Sequence, residues 1–389
     1  MSNSSRAALT DVTTGSTLDS PPASRVDTPS STPFSLEDLD LKDTTILKGL
    51  AIIQIVLHNF FHWIGPTHQN EFTFNPDRFP LFLVTVVKPA LALQAIFTFF
   101  GHFGVQVFIF LSAYGLTKSH WDGSSTWGSF MWSRIKKLYP VFLLIVIPWY
   151  AGVCANAGMV KTWHSIGPEF VCMLLGISTL LGYGLPVVGP WWFIPFIMQF
   201  YAIWLPMRKL ARRFGWQGLA LLFLACLIAV YTLNPLLAHW NINLMQTPIG
   251  RMSGLCLGVF AARYPLRMNS LPGAALAVAG TILVVLGSFY AAFFPLTFLG
   301  AILVWLWTYT VLRAQLRRLF LLELVGRYSL VMFLLNGLVR IPFMDYATTP
   351  GAQLLFGGIS LVITFGLSGI VYELLLNPRG LRSAFQKAC

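Results

Sequence analysis

The sequence predicts an all-α, polytopic membrane protein, and three observations support this fold class. Of its 389 residues, 56% are hydrophobic and only 10% are charged. The mean hydropathy is +0.68, and apolar runs recur to the end of the chain. A soluble domain could not cover so much apolar surface. Because the runs are continuous instead of alternating, they indicate helices and argue against a membrane β-barrel.

Composition divides the chain into three parts. Residues 1–43 are rich in Ser, Thr, Pro and Asp, which predicts a disordered tail in the cytoplasm. Residues 44–378 carry the apolar runs and form one transmembrane domain, and 379–389 form a short cytoplasmic C-terminal tail. We find no second soluble domain and no repeat of fixed period, so the function must reside in the membrane bundle.

Hydropathy predicts ten transmembrane helices. Their approximate ranges are 46–65, 102–117, 138–156, 190–207, 216–233, 249–263, 272–292, 296–312, 323–341 and 353–376. Two further apolar segments, Phe79–Phe99 and 166–187, are interpreted as re-entrant or interfacial helices on the outer face. Glycines such as Gly176 and Gly182 fit an irregular path, which is tolerated at membrane depth where protein or a wet cavity covers it.

The basic residues predict the orientation. Most of the 26 Lys and Arg lie in short clusters that fall on the same side when both termini are cytoplasmic. Treating 166–187 as a span would put the cluster Arg208–Arg213 outside, against this bias. The net charge of +12 therefore reflects topology and does not indicate nucleic-acid binding.

The first predicted span contains His58, with His62 one helical turn later. An ionisable residue inside a membrane span is a functional candidate. Residues four apart project from one face of a helix, so one imidazole could act on a substrate while the other orients it. Alternatively, His58 satisfies a neighbouring helix by a hydrogen bond and His62 lies at the interface beside Trp63.

Five segments, in this order, resemble the membrane-bound acyltransferase-3 family. They are Lys48–Ile53 continuing to His58, Gly101–Tyr114, Arg134–Pro140, Trp192–Tyr201 and Gly326–Asn336. The resemblance extends from about Leu47 to Leu376. No single segment is specific for the family, and the resemblance rests on the five occurring in this order.

The resemblance implies a ten-helix O-acyltransferase of the bacterial cytoplasmic membrane. Such proteins move an acyl group, most often acetyl, from cytoplasmic acyl-CoA to hydroxyls of exported or surface glycans such as an exopolysaccharide. The implied partners are acyl-CoA as co-substrate, a glycan or lipid-linked oligosaccharide acceptor, the bilayer and polysaccharide assembly proteins. No bound cofactor is expected.

The chain departs from the family at several positions. Counting from Lys48, the family's essential histidine falls on Asn59, and His58 stands one residue earlier. Members often carry two adjacent histidines there, so this chain keeps the first. A histidine common near the end of the ninth span is Asn336 here, and an acidic pair is Ile197-Met198.

Acyl transfer to a hydroxyl needs a base that works near neutral pH. Imidazole, with an unperturbed pKa of about 6.5, is suited to this task. We therefore predict His58 as the catalytic residue, with Asn59 and His62 in support. Ser112 has no acid–base partner visible in the sequence, so direct transfer without a covalent enzyme intermediate is preferred.

Substrate-binding residues are predicted on both faces. At the inner face Lys48, Arg134 and Lys137 could meet the phosphates of acyl-CoA, although such residues also fix topology or bind lipid heads. At the outer face Trp191, Trp192 and Arg251 could hold a sugar, although an aromatic belt or an interfacial arginine would have the same residues. No zinc motif or paired Cys/His pattern appears, so we predict no metal.

Two other classes of function remain open from the sequence. A transporter or flippase for a lipid-linked sugar would also have many helices and few intramembrane charges. Transporters often show two related halves, and the second half has no counterpart of the histidine segment. A non-catalytic scaffold for polysaccharide assembly is the third possibility.

Overall fold

The computed structural model describes residues 34–65, 67–183 and 188–376, and every regular element in these ranges is a helix. Three-residue to six-residue 3-10 turns and a closing π-helical turn link the α-helices. The α-helices are α1 (Leu41–Ile64), α2 (Arg78–Val86), α3 (Ala92–Phe100), α4 (Gly104–His120), α5 (Trp127–Ala157), α6 (Met159–Leu174), α7 (Phe193–Leu237), α8 (Met252–Arg263), α9 (Leu271–Phe289), α10 (Thr297–Leu316), α11 (Phe320–Val339), α12 (Ile341–Met344) and α13 (Pro350–Val371).

Eight helical stretches of the described chain are long and apolar enough to cross a membrane. This confirms a multi-pass all-helical protein. One stretch, Gly189–Trp240, has 52 residues and breaks at Gly215, whose φ is 61°. The short α8 has 12 residues, or about 18 Å at 1.5 Å per residue, less than the roughly 30 Å of a bilayer core. Length and composition thus do not decide the count of ten, which stays a prediction.

Helix α1 packs closely against α11 because small residues let the two backbones approach. A Cβ on Gly49 would lie 2.2 Å from the Leu322 carbonyl oxygen, and one on Gly326 would lie 1.8 Å from the Thr45 carbonyl oxygen. The backbones of α1 and α11 are therefore in direct contact, as is usual where small residues line a membrane helix interface. We call the end of the bundle where α1 finishes the Ile64 end, and the opposite end the Leu41 end.

The two halves of α7 run in opposite directions. Trp191, just before α7, bonds the Leu334 carbonyl at the Ile64 end, and Arg208 bonds the His120 carbonyl at the Leu41 end. After the break at Gly215, Tyr231 donates to the Ala292 carbonyl, which is again at the Ile64 end. The chain thus crosses the bundle twice within α7.

The predicted outer helices differ from the observed ones. Phe79–Phe99 is not one helix: α2 ends at Val86, and α3 is part of the 29-residue stretch Ala92–His120 that includes α4. The segment 166–187 is also not one helix, because α6 ends at Leu174 and Gly176 follows with a φ of 77°. The irregular path expected at Gly176 and Gly182 is present, and residues 184–187 lie outside the described ranges. Whether α6 enters the membrane from the outer face stays a prediction.

The bundle begins earlier than the predicted tail boundary at residue 43. Leu36 is fully buried and its N–H donates to the Leu266 carbonyl, so residues 34–43 pack as part of the bundle. Asp43 is also fully buried. Its carboxylate accepts hydrogen bonds from Arg313 at 2.8 and 2.9 Å, Arg317 at 2.7 Å and Tyr309 at 2.8 Å. This network joins α1 to α10 at the Leu41 end.

We expect Asp43→Asn to destabilise the folded protein by about 3 kcal/mol, because it removes the charge of a fully buried carboxylate that pairs with two half-buried arginines. Asp40→Asn is the matched control. The Asp40 side chain is 48% exposed, pairs with Arg317 and accepts the Asp43 N–H as the N-cap of α1. Asn caps a helix as well as Asp does, so this variant loses only an exposed ion pair and should cost less than about 1 kcal/mol. Thermal unfolding of the purified protein in one detergent compares the two variants. Equal losses would contradict the assigned role of Asp43.

Candidate active site

A small polar cavity lies at the Ile64 end of the bundle, between α1, the start of α4, the segment before α7 and the end of α11. Its volume is about 130 Å³. Apolar and aromatic side chains, among them Ile55, Phe72, Trp192 and Phe333, form part of the wall. The polar lining residues are His58, Asn59, His62, Asn70, Glu71 and Arg340. The structure thus brings His58 together with two of the predicted supporting residues.

His58 is 5% exposed, and its ring is fixed by a contact with the backbone. The Nδ1 atom lies 3.2 Å from the carbonyl oxygen of Phe97. A carbonyl can only accept, so Nδ1 carries the proton in the neutral ring and Nε2 keeps a lone pair. Gly101 permits this packing, because a Cβ there would lie 2.4 Å from the His58 Cβ. The geometry leaves one basic nitrogen available for proton transfer.

Two further histidines surround His58. The ring centroids of His58 and His62 are 5.2 Å apart, as the four-residue spacing on one helical face requires. The ring of His102, which sequence reasoning did not select, lies 5.5 Å from His58. His102 is 2% exposed, and within the described residues its Nδ1 has no hydrogen-bond partner. A histidine inside the Gly101–Tyr114 segment was the signal that could have identified it.

Arg340 brings a positive charge to the same cavity. Its Nη1 donates to the Asn59 carbonyl, and its guanidinium carbon lies 5.1 Å from the Trp63 ring centroid. The side chain of Asn59 in turn donates to the Asn336 side chain at 2.8 Å, which ties α1 to α11. Arg340 is 7% exposed, and its Nε has no partner in the part of the chain that the structure describes. Sequence reasoning did not join Arg340 with His58, since the two residues are far apart along the chain.

Arg251 lies behind the cavity wall and is fully buried. Its guanidinium carbon is 3.9 Å from the ring centroid of Phe298, 5.6 Å from that of Trp192 and 5.7 Å from that of Phe72. Its Nη2 donates to the Glu71 carbonyl at 3.0 Å. Arg251 therefore does not line the cavity with His58, and its predicted contact with a sugar has no direct support in this placement.

The Glu71 side chain lines the cavity and is 5% exposed. Burial raises the pKa of this carboxyl from about 4.5 to about 7, and the positive charge of Arg251 acts against that rise. A carboxyl with such a pKa is partly protonated at neutral pH, so it can accept or donate a hydrogen bond. Sequence reasoning missed Glu71 because it lies in a loop between two helices.

The two predicted tryptophans have different positions. Trp192 lines the cavity, with its ring edge against Phe72 at a centroid distance of 4.9 Å. Trp191 is 1% exposed, donates to the Leu334 carbonyl at 2.9 Å and packs on Trp149. It has no surface on this cavity. Of the pair, Trp192 alone is placed to contact a substrate there.

A second group of polar residues lies at the Leu41 end. Arg134 Nη2 is 3.0 Å from His120 Nε2, and Lys137 lies within electrostatic range of His120. Arg208 donates to the carbonyls of His120 at 2.6 Å and Gly123 at 2.8 Å. Arg134 and Lys137 thus lie near the same histidine, and their contact with the donor stays a prediction. Lys48 on α1 takes no part in these hydrogen bonds.

Metal binding has no candidate among the described residues. In 34–65, 67–183 and 188–376, no group of three or more His, Cys, Asp or Glu side chains is arranged to hold a metal ion. The histidines around His58 are therefore treated as acid–base and hydrogen-bonding groups. The absence of a metal from the function stays a prediction.

The fold and the cavity define a multi-pass helical membrane protein with a histidine-centred site. A family model described as "Acyltransferase domain" matches residues 41–373, which is most of the chain. The protein belongs to this acyltransferase-3 family and is a membrane acyltransferase. Searches of curated proteins and of solved structures gave no match. The family membership favours an enzyme over a transporter or a scaffold.

Proposed function

We propose that the protein transfers an acyl group, with acetyl as the expected case, from acyl-CoA to a hydroxyl of an exported or surface glycan. The observation that supports this most is His58, whose Nδ1–H is held by the Phe97 carbonyl inside a polar cavity of an acyltransferase. The proposed location is a bacterial cytoplasmic membrane, with both termini and the Leu41 end in the cytoplasm.

The proposed reaction uses His58 as a general base. Nε2 of His58 takes the proton from the acceptor hydroxyl as its oxygen attacks the thioester carbonyl carbon. The tetrahedral intermediate carries a negative oxygen, and Arg340 is placed to stabilise it from the cavity wall. Cleavage of the carbon–sulfur bond releases the CoA thiolate, which receives the proton from His58. Proton and charge therefore balance without a covalent enzyme intermediate.

Donor binding is proposed for the Leu41 end, where Arg134 and Lys137 would contact the phosphates of acyl-CoA. Along α1, His58 lies roughly 25 Å from Leu41 at a rise of 1.5 Å per residue. The donor must therefore extend into the bundle to bring its thioester to the cavity. Lys48, which lies on α1 between the two sites, is proposed to contact the donor along this path.

The test of the function is acyl transfer by the purified protein in lipid. We expect labelled acetyl from acetyl-CoA to appear on glycan hydroxyls, and a strain without the protein to lose glycan O-acetyl groups. Normal O-acetylation in that strain, together with no transfer or hydrolysis by the purified protein, would contradict the proposal.

Replacing Arg134 or Lys137 with Gln should raise the KM for acetyl-CoA several-fold, because a charge-assisted contact contributes about 1.5–3 kcal/mol before solvent weakens it. The turnover at saturating donor should change less. Added salt should weaken donor binding in the wild type more than in the variants.

The matched control for this prediction is Lys161→Gln. Lys161 is exposed on α6, so this substitution removes one positive charge at a position away from His120. Its donor KM should equal that of the wild type. If well-inserted Arg134→Gln and Lys137→Gln proteins also keep the wild-type KM and salt response, the donor is bound elsewhere.

A further inference from the structure

The segment Asn70–Phe74 borders both the His58 cavity and a second, larger cleft. This cleft has a volume of about 490 Å³ and lies between residues 72–74, the end of α7 and the loops at 241–245 and 291–295. Phe72 lines both spaces. The two are therefore neighbours across one side chain, at the Ile64 end of the bundle.

The sizes of the two spaces suggest how an acceptor is divided between them. Ligand pockets usually measure about 300–1,000 Å³. The second cleft falls in this range, while the His58 cavity, at about 130 Å³, is smaller. An acceptor that presents a hydroxyl to His58 must therefore place most of its mass outside that cavity. The cleft beyond Phe72 is the adjoining space.

The cleft is uncharged, and a few polar side chains stand among mostly apolar lining residues. None of its lining residues is Asp, Glu, Lys or Arg, and its polar side chains are amides and hydroxyls. Asn234 Oδ1 accepts from the Leu244 N–H at 2.7 Å, which leaves the Asn234 amide NH₂ without a partner in the described chain. Asn241 Nδ2 donates to the Gly182 carbonyl at 2.6 Å, which leaves its Oδ1 available. The cleft thus keeps one hydrogen-bond donor group and one acceptor without a protein partner. A sugar hydroxyl can bond to both, because it donates and accepts hydrogen bonds.

Aromatic and hydrogen-bonded groups fix the shared wall. The Phe72 carbonyl accepts from Asn243 Nδ2 at 3.0 Å, and the neighbouring Glu71 carbonyl accepts from Arg251. Asn70 Oδ1 accepts the N–H of Phe72 at 2.9 Å. The loop is therefore held from both sides, with Glu71 directed to the His58 cavity and Phe74 to the cleft.

We propose that the acceptor is an uncharged oligosaccharide of at least two sugars, with the reacting sugar beside His58 and Glu71 and its neighbour in the Asn234–Asn241 cleft. This inference rests on the proposed function. It adds that chain length is recognised at a site separate from the catalytic base. Phosphorylated or acidic sugars would find no cationic partner among the side chains of the cleft.

The test uses the full protein in lipid and acetyl-CoA as donor. The acceptor probe is the envelope glycan of the source cell, partially hydrolysed and separated by size into single sugars and oligosaccharides of two to six units. We expect kcat/KM for the oligosaccharides to exceed that for single sugars by about tenfold, as one or two hydrogen bonds and a stacking contact provide.

Two variants locate the site. Asn234→Asp keeps the oxygen that holds the Leu244 N–H but loses the free NH₂, and Ala238→Trp fills the cleft from an exposed position. Both should reduce the oligosaccharide rate about five- to tenfold and leave the single-sugar rate and the donor KM unchanged. Leu236→Trp, which is exposed on the same turn and does not line the cleft, is the matched control.

The outcomes separate this inference from the proposed function. Acetylation of all fractions at equal rates, or an equal effect of Ala238→Trp and Leu236→Trp, would overturn the two-sugar site and leave the acetyltransferase intact. No acetylation of any fraction and no hydrolysis of acetyl-CoA by the wild type would overturn both.

Discussion

Replacing His58 with Ala should lower acyl transfer by roughly 100- to 10,000-fold, the usual contribution of a general base. The expected loss follows from two features. Nε2 is the free basic nitrogen of a ring fixed by the Phe97 carbonyl, and the cavity around it provides Arg340 for a developing negative charge. Steady-state transfer from acetyl-CoA in lipid measures the effect, and abundance in the membrane should equal that of the wild type.

His164→Ala provides the control for a lost histidine. His164 is exposed on α6 and lies outside the His58 cavity, so transfer should remain unchanged. Activity of His58→Ala within about twofold of the wild type would remove His58 from the mechanism. His62 and His102, whose rings lie 5.2 and 5.5 Å from that of His58, would then be the next candidates for the base.

The sequence predicted the parts of the site that are local along the chain. His58, Asn59 and His62 lie within five residues, so helical geometry alone places them near one another. Arg134 and Lys137 lie near one another for the same reason, since they are three residues apart. Arg340 and Glu71 join the cavity through contacts between distant segments, such as the Asn59–Asn336 pair, and no periodicity encodes these contacts. The sequence also did not distinguish Trp191 from Trp192, because which of two neighbouring residues faces the cavity depends on the packing of the bundle.

The fold was predictable where apolar runs decide it and less so at helix ends. The apolar run 166–187 suggested a helix there, but α6 begins after Gly158, whose φ is 87°, and ends before Gly176, whose φ is 77°. Backbone conformations that favour glycine set these ends, and hydropathy does not measure them. Residues 34–43 look polar in the sequence because of Asp40 and Asp43, yet they pack on the bundle, where Arg313 and Arg317 pair with these carboxylates.

The second large effect is expected at Arg340. Removing a donor that stabilises the oxyanion of an acyl-transfer intermediate usually lowers kcat by about 100- to 1,000-fold. Arg340→Gln should show a loss of this size with little change in the KM for acetyl-CoA, because the interaction forms mainly in the transition state. Arg340→Lys should recover part of the activity, since it keeps the charge but loses the planar group that contacts the Asn59 carbonyl.

Arg327→Gln is the control, because Arg327 lies on α11, the helix that Arg340 directly follows, and is exposed outside the cavity. A purely structural role of Arg340, through its bond to Asn59, predicts a different pattern. In that case Arg340→Gln would lower abundance and thermal stability, and the molecules that do fold would turn over at the wild-type rate. Separate measurement of kcat per folded molecule therefore decides between the two roles, and a rate equal to that of Arg327→Gln would exclude Arg340 from stabilising the intermediate.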